Sequence, residues 1–514
     1  MQEYVPDPLK SLQDYLTWLE ERGSLLRVRD PLSPILEIPS FLRRVMYNNG
    51  PTVLFENVAG YPGWRVAGNI YQSLGTVREA LGAEKLEDIG ERLVGLVQSP
   101  PPVSLGEKIS SLWKAKEVSS LLPRRVRSAR FTKNVIEEGP LANLPLFKTW
   151  PGDGSRYITL GLVMVRDPQS GVTNMGVYRV MEKSPREGVV HWQVHKRGAL
   201  AYKKALEEGR RLPIAVVLGS DPGTMLAGVA PVPYPMDKLF FAGILRGKGV
   251  DVYELDNGIL VPANAEAVLE GYIEPGKSSP EGPFGDHWGF YDKPVEEYPV
   301  AVFERLYHRD DPVYPGTVVG LPPLEDAVIG KVIERVFLPV MKMVFPEIVD
   351  VNFPVHGVFQ GLMIVSIKKR FPWHGKKVLM GLWGVGQTSL TKMIVVVDHF
   401  VDVHDLGQVM WAVTSFAHPA RDIVVLDNAH TDSLDPTSIA SAGAKIGIDA
   451  TVKFREEAGR DPPDIVAPDE RVEEKVARIA EKYGVKGGDP WRRLVKEYLD
   501  SIRVWYEARG GSTP

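Results

Sequence analysis

Met393-Ile-Val-Val-Val397 is a run of five aliphatic residues, and none in the chain is longer. A bilayer span needs about 20. The run therefore reads as a strand, and apolar side chains on both of its faces put it in a sheet covered on both sides. Leu406 to Phe416 follows with helical periodicity, and Ile423 to Leu426 is a further apolar strand. Upstream lie strands at Ile348 to Val351 and Leu362 to Ile367, and a helix that starts near Glu325, just after Pro322-Pro323. Strands alternating with helices predict an α/β domain over 321–514. It closes with a helix opened by Asp489-Pro490, in which Leu494, Tyr498, Ile502 and Trp505 share one face. An apolar stripe at a chain end predicts packing against a partner subunit.

From 116 to 320 the texture is different. Apolar strands such as Ile158 to Val165, Ile214 to Leu218 and Val300 to Leu306 are separated by turns rich in glycine and proline, which predicts a β-rich domain. Residues 1–115 read as another α/β unit. Asp7-Pro8 caps an amphipathic helix with Leu9, Leu12, Leu16 and Leu19 on one face, ending at Gly23. Strands at Leu25 to Val28 and Thr52 to Val58 flank a helix over Ile38 to Met46, and Ser99 to Pro102 is a linker or rigid loop. The fold class is α/β in its two outer domains and α+β overall.

The chain has 514 residues with 44% hydrophobic and 25% charged, the proportions of a globular protein with large cores rather than of a disordered one. Lys plus Arg is 61 against 65 Asp plus Glu, a formal charge of -4. That balance argues against a general nucleic-acid or anionic-membrane binder. Cysteine is absent, so disulfides, Cys-ligated zinc, iron-sulfur clusters and thiolate nucleophiles are excluded together. With no apolar leader at the N-terminus, a cytoplasmic enzyme is expected. The 42 prolines lean toward a heat-adapted source.

Common catalytic signatures fail. Gly381-Leu-Trp-Gly-Val-Gly386-Gln387-Thr388 has the glycine spacing of a phosphate loop but glutamine where lysine must reach the phosphates. His191-Trp-Gln-Val-His195 spaces two imidazoles without the glutamate of a zinc hydrolase, and no Gly-x-Ser-x-Gly elbow is present. Two stretches keep their chemistry. In Pro280-Glu281-Gly-Pro-Phe-Gly-Asp286-His-Trp-Gly289, two carboxylates sit five apart in a segment stiffened by glycine and proline. Such a segment can aim acids for proton transfer, and the same pattern equally describes a surface turn with solvated acids. In Thr173-Asn174-Met-Gly176-Val-Tyr178-Arg179, an amide and a guanidinium suit an anionic ligand. Asn174 and Arg179 have opposite strand parity, so a shared site requires a bend, expected at Gly176; the alternative is an ordinary strand with a surface arginine.

Together these segments resemble the UbiD family of reversible, non-oxidative decarboxylases, which use prenylated FMN. The likeness continues through His191-Trp192-Gln193, Lys196-Arg197, Phe241 to Gly247, Val261 to Gly271 and Gly443 to Ala450. It implies a central split β-barrel that binds the flavin and a C-terminal α/β domain used for homo-oligomerisation. It further implies Arg179, Glu281 and Asp286 as the catalytic set. Val177, Tyr178, Arg179, His191, Trp192, Gln193, Lys196 and Arg197 are the implied cofactor contacts. A divalent metal, manganese, would be held by Asn174, and potassium is a further ion the likeness brings. Two positions depart from the family pattern. Lys238 stands where many relatives carry a metal-binding glutamate, so either Asp237 takes that role or the metal shell is altered. The metal-binding histidine of some relatives aligns with Trp192, with His191 adjacent.

The resemblance implies decarboxylation of an α,β-unsaturated acid, with the flavin as electron sink and a flavin prenyltransferase as its supplier. Among family substrates, trans-anhydromevalonate 5-phosphate, giving isopentenyl phosphate in the archaeal modified mevalonate pathway, is favoured over a 4-hydroxybenzoate-type aromatic acid. A flavin reductase or a non-catalytic flavin-binding protein is the reading from another class.

Overall fold

The computed structural model describes residues 9–98, 116–193, 196–232, 236–292, 297–439, 441–485 and 487–507. The chain forms two compact units, Met1–Val340 with Ser433–Thr437, and Met341–Asp432 with Ser438–Pro514.

In the first unit, Leu12–Glu21 is the opening helix, and its N-cap is Ser11, whose Oγ accepts from Asp14 N at 3.2 Å. Asp7 and Pro8, expected to start it, lie outside the described residues, as does the Ser99 to Pro102 stretch. Leu12, Tyr15, Leu16 and Leu19 bury one face, and Gly23 at φ +65° ends the helix where a side chain would be strained. The strands Leu25–Val28, Thr52–Phe55, Arg65–Gly68 and Val313–Pro315 form a four-stranded sheet in that order, with the helix Glu37–Tyr47 between the first two in sequence.

The centre is a nine-stranded antiparallel sheet. Its main path runs Tyr157–Ile158, Val180–Glu182, Glu187–Val190, Glu297–His308, Ala267–Pro280, Leu212–Leu218, Gly161–Arg166, Thr173–Val177, with Asn134–Ile136 pairing off it against Glu297–His308. Its strands are apolar on both faces because both are covered. Leu162, Met164, Ala215 and Val217 enter one core cluster, while Val163, Val165, Ile214, Val216 and Leu218 enter the other.

The apolar run Ile158 to Val165 is divided between two strands. Tyr157–Ile158 ends one side of the sheet and Gly161–Arg166 lies near the other, yet only Thr159 and Leu160 separate them. Likewise only Tyr178 and Arg179 join Thr173–Val177 to Val180–Glu182. Three peptide units reach about 11 Å at most, so the sheet must curl until its ends nearly meet. Among the described residues no ladder joins those ends, so the barrel is open, or split, and Arg179 sits on the link across the gap.

The second unit is built on the mixed sheet Ile348–Asn352, Leu362–Ile367, Met393–Asp398, Ala442–Ala450, Ile423–His430. Met393–Asp398 is central and pairs in parallel with both neighbours, which is why its run is apolar throughout. The terminal helix Arg492–Glu507 departs from expectation. Its apolar stripe is covered within its own unit: Leu494 and Tyr498 join a core with Phe400, Val409 and Phe416, and Trp505 stacks on Phe454 at 5.1 Å. A partner subunit is not needed to bury that face.

The long strands Ala267–Pro280 and Glu297–His308 shift register at Glu270/Gly271, where a Cβ on Gly271 would lie 2.1 Å from Val302 O. Gly271→Ala forces backbone apart in the middle of the sheet. It should cost about 1–3 kcal/mol, read as a fall in the denaturation midpoint; an unchanged midpoint would contradict this packing.

Candidate active site

The acids of Glu281 to Asp286 are aimed by backbone geometry. The strand Ala267–Pro280 delivers the chain to Glu281, and Phe284–Gly285 then pairs with Tyr291–Asp292 in a short hairpin. Its turn is closed by Asp286 N to Phe290 O at 3.0 Å and Gly289 N to Asp286 O at 2.9 Å. Gly282 has φ +104° and touches Gly154, where a Cβ would lie 2.3 Å from Gly282 O; Gly154 N donates to Pro283 O at 2.7 Å. Asp153 braces the other side, accepting from Gly285 N at 2.9 Å and from Thr149 N and Trp150 N. The bend that frees Arg179 comes at Tyr178 and Arg179, after the strand has ended, and not at Gly176 as expected. Gly176 instead makes room for Tyr178, whose ring would lie 2.2 Å from a Cβ at 176.

These elements bring Arg179, Glu281 and Asp286 together. The guanidinium forms a two-pronged pair with Glu281, Nε to Oε1 at 3.0 Å and Nη2 to Oε2 at 2.7 Å, and Nη1 donates to Asp286 Oδ2 at 2.5 Å. Nη2 also donates to Asp292, and the guanidinium carbon lies 4.5 Å from the Phe284 ring centre. His191 joins from the far side, its Nδ1 2.8 Å from Glu281 Oε2 and its ring 4.4 Å from that of Tyr298. His287 closes on Asp286, with Nδ1 at 2.5 Å from Oδ1. The side chains of Arg179 and Glu281 are 8% and 0% exposed, so these charges interact with little screening.

Burial disfavours every charge here, and the neighbours decide which survive. For Glu281, burial is outweighed by the Arg179 charge and the His191 hydrogen bond, and the carboxyl falls to about 2. For Asp286, burial is outweighed by His287 and then Arg179, which hold it well below the usual carboxylate range. Asp292 goes the other way, because burial prevails over the attraction of Arg179 and raises it. One guanidinium faces three carboxylates, so a proton retained in the group resides most readily on Asp292. Asp326 adds a fourth acid whose carboxyl burial lifts to about 6, with His287 opposing and Asp286 adding to the rise.

Sequence reasoning missed Asp292, His287 and Asp326. The signal available for Asp292 was the hairpin itself: Gly285 and Tyr291 flank a turn closed at Gly289, which folds residue 292 back beside 284.

The remaining expected residues gather elsewhere around the segment 174–197. Arg197 donates to Val232 O at 2.8 Å and Met236 O at 3.1 Å, wrapping the chain just before the helix Lys238–Arg246. Lys238, buried at the first position of that helix, donates to Gly228 O at 2.8 Å. Burial, with Arg197 and Lys196 nearby, lowers its ammonium to about 7. Asn174 is buried with Nδ2 lacking a hydrogen-bond partner, and Trp192, buried under Gly198, leaves Nε1 unpaired. Gln193 Nε2 donates to Ser433 Oγ at 2.8 Å, and Val177 is half-buried beside Gly228. His195 lies outside the described residues.

This donor set fits a flavin phosphate: three cationic side chains and an orphaned amide surround a helix N-terminus. It fits a divalent metal poorly. Both oxygens of Asp237 are engaged, Oδ1 by Leu239 N at 2.7 Å and Oδ2 by Thr173 N at 3.1 Å, and Lys238 adjoins it. His191, Glu281 and Asp292 could also group around an ion, with ligand atoms within 4.8 Å of one another, but Arg179 Nη2 already bridges the two acids.

Arg179→Met strips the acids of their counter-charge and should cost about 3–5 kcal/mol at pH 7. In the native protein Glu281 sits below its unfolded value, so its stabilisation is complete above about pH 4.3 and is lost as pH falls toward 2. In the variant the buried acids rise above their unfolded values, so the sign reverses and the deficit grows with pH. Denaturant unfolding at pH 7 and pH 5 checks this; an equal deficit at both would refute the assigned electrostatics.

Comparison with known proteins bears on the chemistry. Family models for 3-octaprenyl-4-hydroxybenzoate carboxy-lyase match the chain in three parts: the N-terminal domain at residues 16–93, the Rift-related domain at 124–322 and the C-terminal domain at 327–450. An uncharacterized protein of Aeropyrum pernix is 54% identical over 94% of this chain and all of its own length. One from Archaeoglobus fulgidus is 42% identical over 91% of this chain and 98% of its own. Among solved structures, the vanillic acid decarboxylase of Sedimentibacter hydroxybenzoicus in closed form aligns with TM-score 0.79 at 27% identity, covering 92% of this chain and 99% of that one. The UbiD-class enzyme HmfF of Pelotomaculum thermopropionicum in complex with FMN aligns with TM-score 0.73 at 28% identity, over 90% and 98%. The chain belongs to the UbiD family of carboxy-lyases and is a decarboxylase of that type.

Proposed function

We propose that this decarboxylase uses prenylated FMN to remove the carboxylate of an α,β-unsaturated acid, with Arg179, Glu281 and Asp286 as its catalytic residues. The observation that carries the reading is the buried guanidinium shared by three carboxylates. HmfF, the structural relative solved with FMN, has also been solved with prenylated FMN. Prenylated FMN, when bound, supplies the electron sink that no side chain here offers. Val177, Tyr178, Arg179, His191, Trp192, Gln193, Lys196 and Arg197 would hold it.

The side chains then have two tasks. Arg179 would orient the substrate carboxylate, and its charge keeps Glu281 and Asp286 ionised until a proton is needed. Loss of carbon dioxide leaves an electron pair on carbon, and one proton must reach that carbon to complete the turnover. Glu281 or Asp286 delivers it, and Asp292, the acid with a raised affinity for protons, resupplies it to Glu281, whose carboxylate oxygen lies within 4.8 Å of its own.

The favoured substrate is trans-anhydromevalonate 5-phosphate, giving isopentenyl phosphate. This rests on the chain's resemblance to archaeal family members. A second reading, an aromatic acid of the 4-hydroxybenzoate type, draws support from the likeness to a vanillic acid decarboxylase. Homo-oligomerisation through the C-terminal unit and cytoplasmic action belong to the same proposal; no helix among the described residues is long and apolar enough to cross a membrane.

Glu281→Gln and Asp286→Asn should each lower the rate of carbon dioxide release by about 10²–10⁴-fold at unchanged flavin absorbance. Near-normal turnover in both variants would remove the assignment. Incubating the loaded enzyme with each acid separates the substrates, and release from the aromatic acid alone would end the preference for the phosphorylated one.

A further inference from the structure

We infer that Lys238 takes the place of a divalent metal in this enzyme, so that a phosphate monoester, that of the flavin, is held directly by Lys238, Arg197, Lys196 and Asn174. The inference rests on the flavin reading above and concerns only how its phosphate is bound.

Four observations converge on the start of the nine-residue helix Lys238–Arg246. The Lys238 side chain is buried, gives one of its three protons to Gly228 O, and among the described residues is paired with no carboxylate. Arg197 and Lys196 lie within electrostatic reach of it, and Arg197 is anchored to the two carbonyls that precede the helix, Val232 O and Met236 O. Asn174 is 5% exposed and its Nδ2 makes no well-formed hydrogen bond, although it lies close enough to the Tyr178 hydroxyl to favour the phenolate there, and its neighbour Thr173 is tied to the same helix through Asp237. Among the described residues the acid beside Lys238 is Asp237, and each of its oxygens already accepts one backbone N–H, Oδ1 from Leu239 and Oδ2 from Thr173.

A buried ammonium beside two half-buried cations is costly unless an anion joins it. A phosphate monoester answers each feature: its charge balances the cations, its oxygens accept from Lys238 and Asn174, and the helix N-terminus adds a favourable field. Among the described residues a divalent cation would meet the reverse conditions, three positive side chains against the Asn174 amide oxygen and one carboxylate that already accepts two backbone N–H groups. The lysine is thus a covalently attached counter-ion, always present at full occupancy.

The test uses the purified holoenzyme and its apoprotein. Metal analysis of the flavin-loaded protein should find no stoichiometric divalent metal, and dialysis against EDTA should leave the flavin in place. Titration of apoprotein by flavin fluorescence should show that Lys238→Met weakens FMN about 10- to 100-fold, the loss expected for one hydrogen bond to a charged group, while riboflavin binding is unchanged. Lys238→Glu should bind FMN weakly and recover when manganese is added. Equal loss of FMN and riboflavin in Lys238→Met would place the lysine away from the flavin phosphate, on a substrate phosphate or on none, and overturn the inference. Stoichiometric metal, or release of flavin by EDTA, would overturn it while leaving the flavin reading intact. Failure of the wild-type protein to bind either flavin would instead overturn that reading, and this inference with it.

Discussion

A guanidinium cannot surrender its proton inside a protein, so Arg179 must be surrounded by acids wherever it is buried. Several strands of the first unit's central sheet and the hairpin beside it meet that demand. Glu281 and Asp286 arrive from one long strand and its hairpin, Asp292 from the returning limb, and His191 from beyond a neighbouring strand. The three acids anchor separate stretches of backbone on the same cation, and His191 joins them through Glu281. Because the acids outnumber the guanidinium, the cluster is also a place to store a proton, and the neighbours of each acid settle which one holds it. Asp292 is the most exposed of the three, yet it alone is raised, because its burial is not offset by a hydrogen-bonded histidine such as Glu281 and Asp286 each have.

The location of Arg179 follows from the sheet. A nine-stranded antiparallel sheet that twists in the usual sense can curl until its ends approach, and here two short links cross the remaining gap. Residues on such links are released from the ladder, so their side chains can be aimed by contacts rather than by strand parity. Tyr178 and Arg179 use that freedom in different directions: the tyrosine folds back over Gly176 and the arginine turns to the acids. The stretch from Asn174 to Arg197 thereby serves two electrostatically opposite environments, one acid-rich and the other cation-rich. A substrate that loses a carboxylate and a cofactor that carries a phosphate call for that separation.

Several elements were legible in the sequence for plain reasons. Leu362–Ile367 and Leu406–Phe416 fall at their expected bounds, since an unbroken apolar run and an unbroken helical period leave little choice. The pair Glu281 and Asp286 was legible as a rigid acidic segment, and family resemblance linked it to Arg179. The strand Ala442–Ala450 was harder to see because its glycines and lysine weaken the apolar signal, although it is central enough to pair on both sides. The apolar stripe of the terminal helix was read correctly as needing cover, but periodicity cannot name what provides it.

By itself, then, the sequence determined where most of the apolar strands and amphipathic helices would fall, that the chemistry could not be thiol-based, and that Glu281 and Asp286 lie in a segment rich in glycine and proline. Those are local properties, set by side-chain periodicity, backbone restriction and composition. Only the tertiary structure decided that Asp292 joins Arg179, that Glu281 is held ionised while Asp292 is pushed toward its protonated form, and that Lys238 is buried among cations. These depend on burial and on distances between residues as many as 113 positions apart, and a charge acquires its chemical character from what surrounds it in space rather than along the chain.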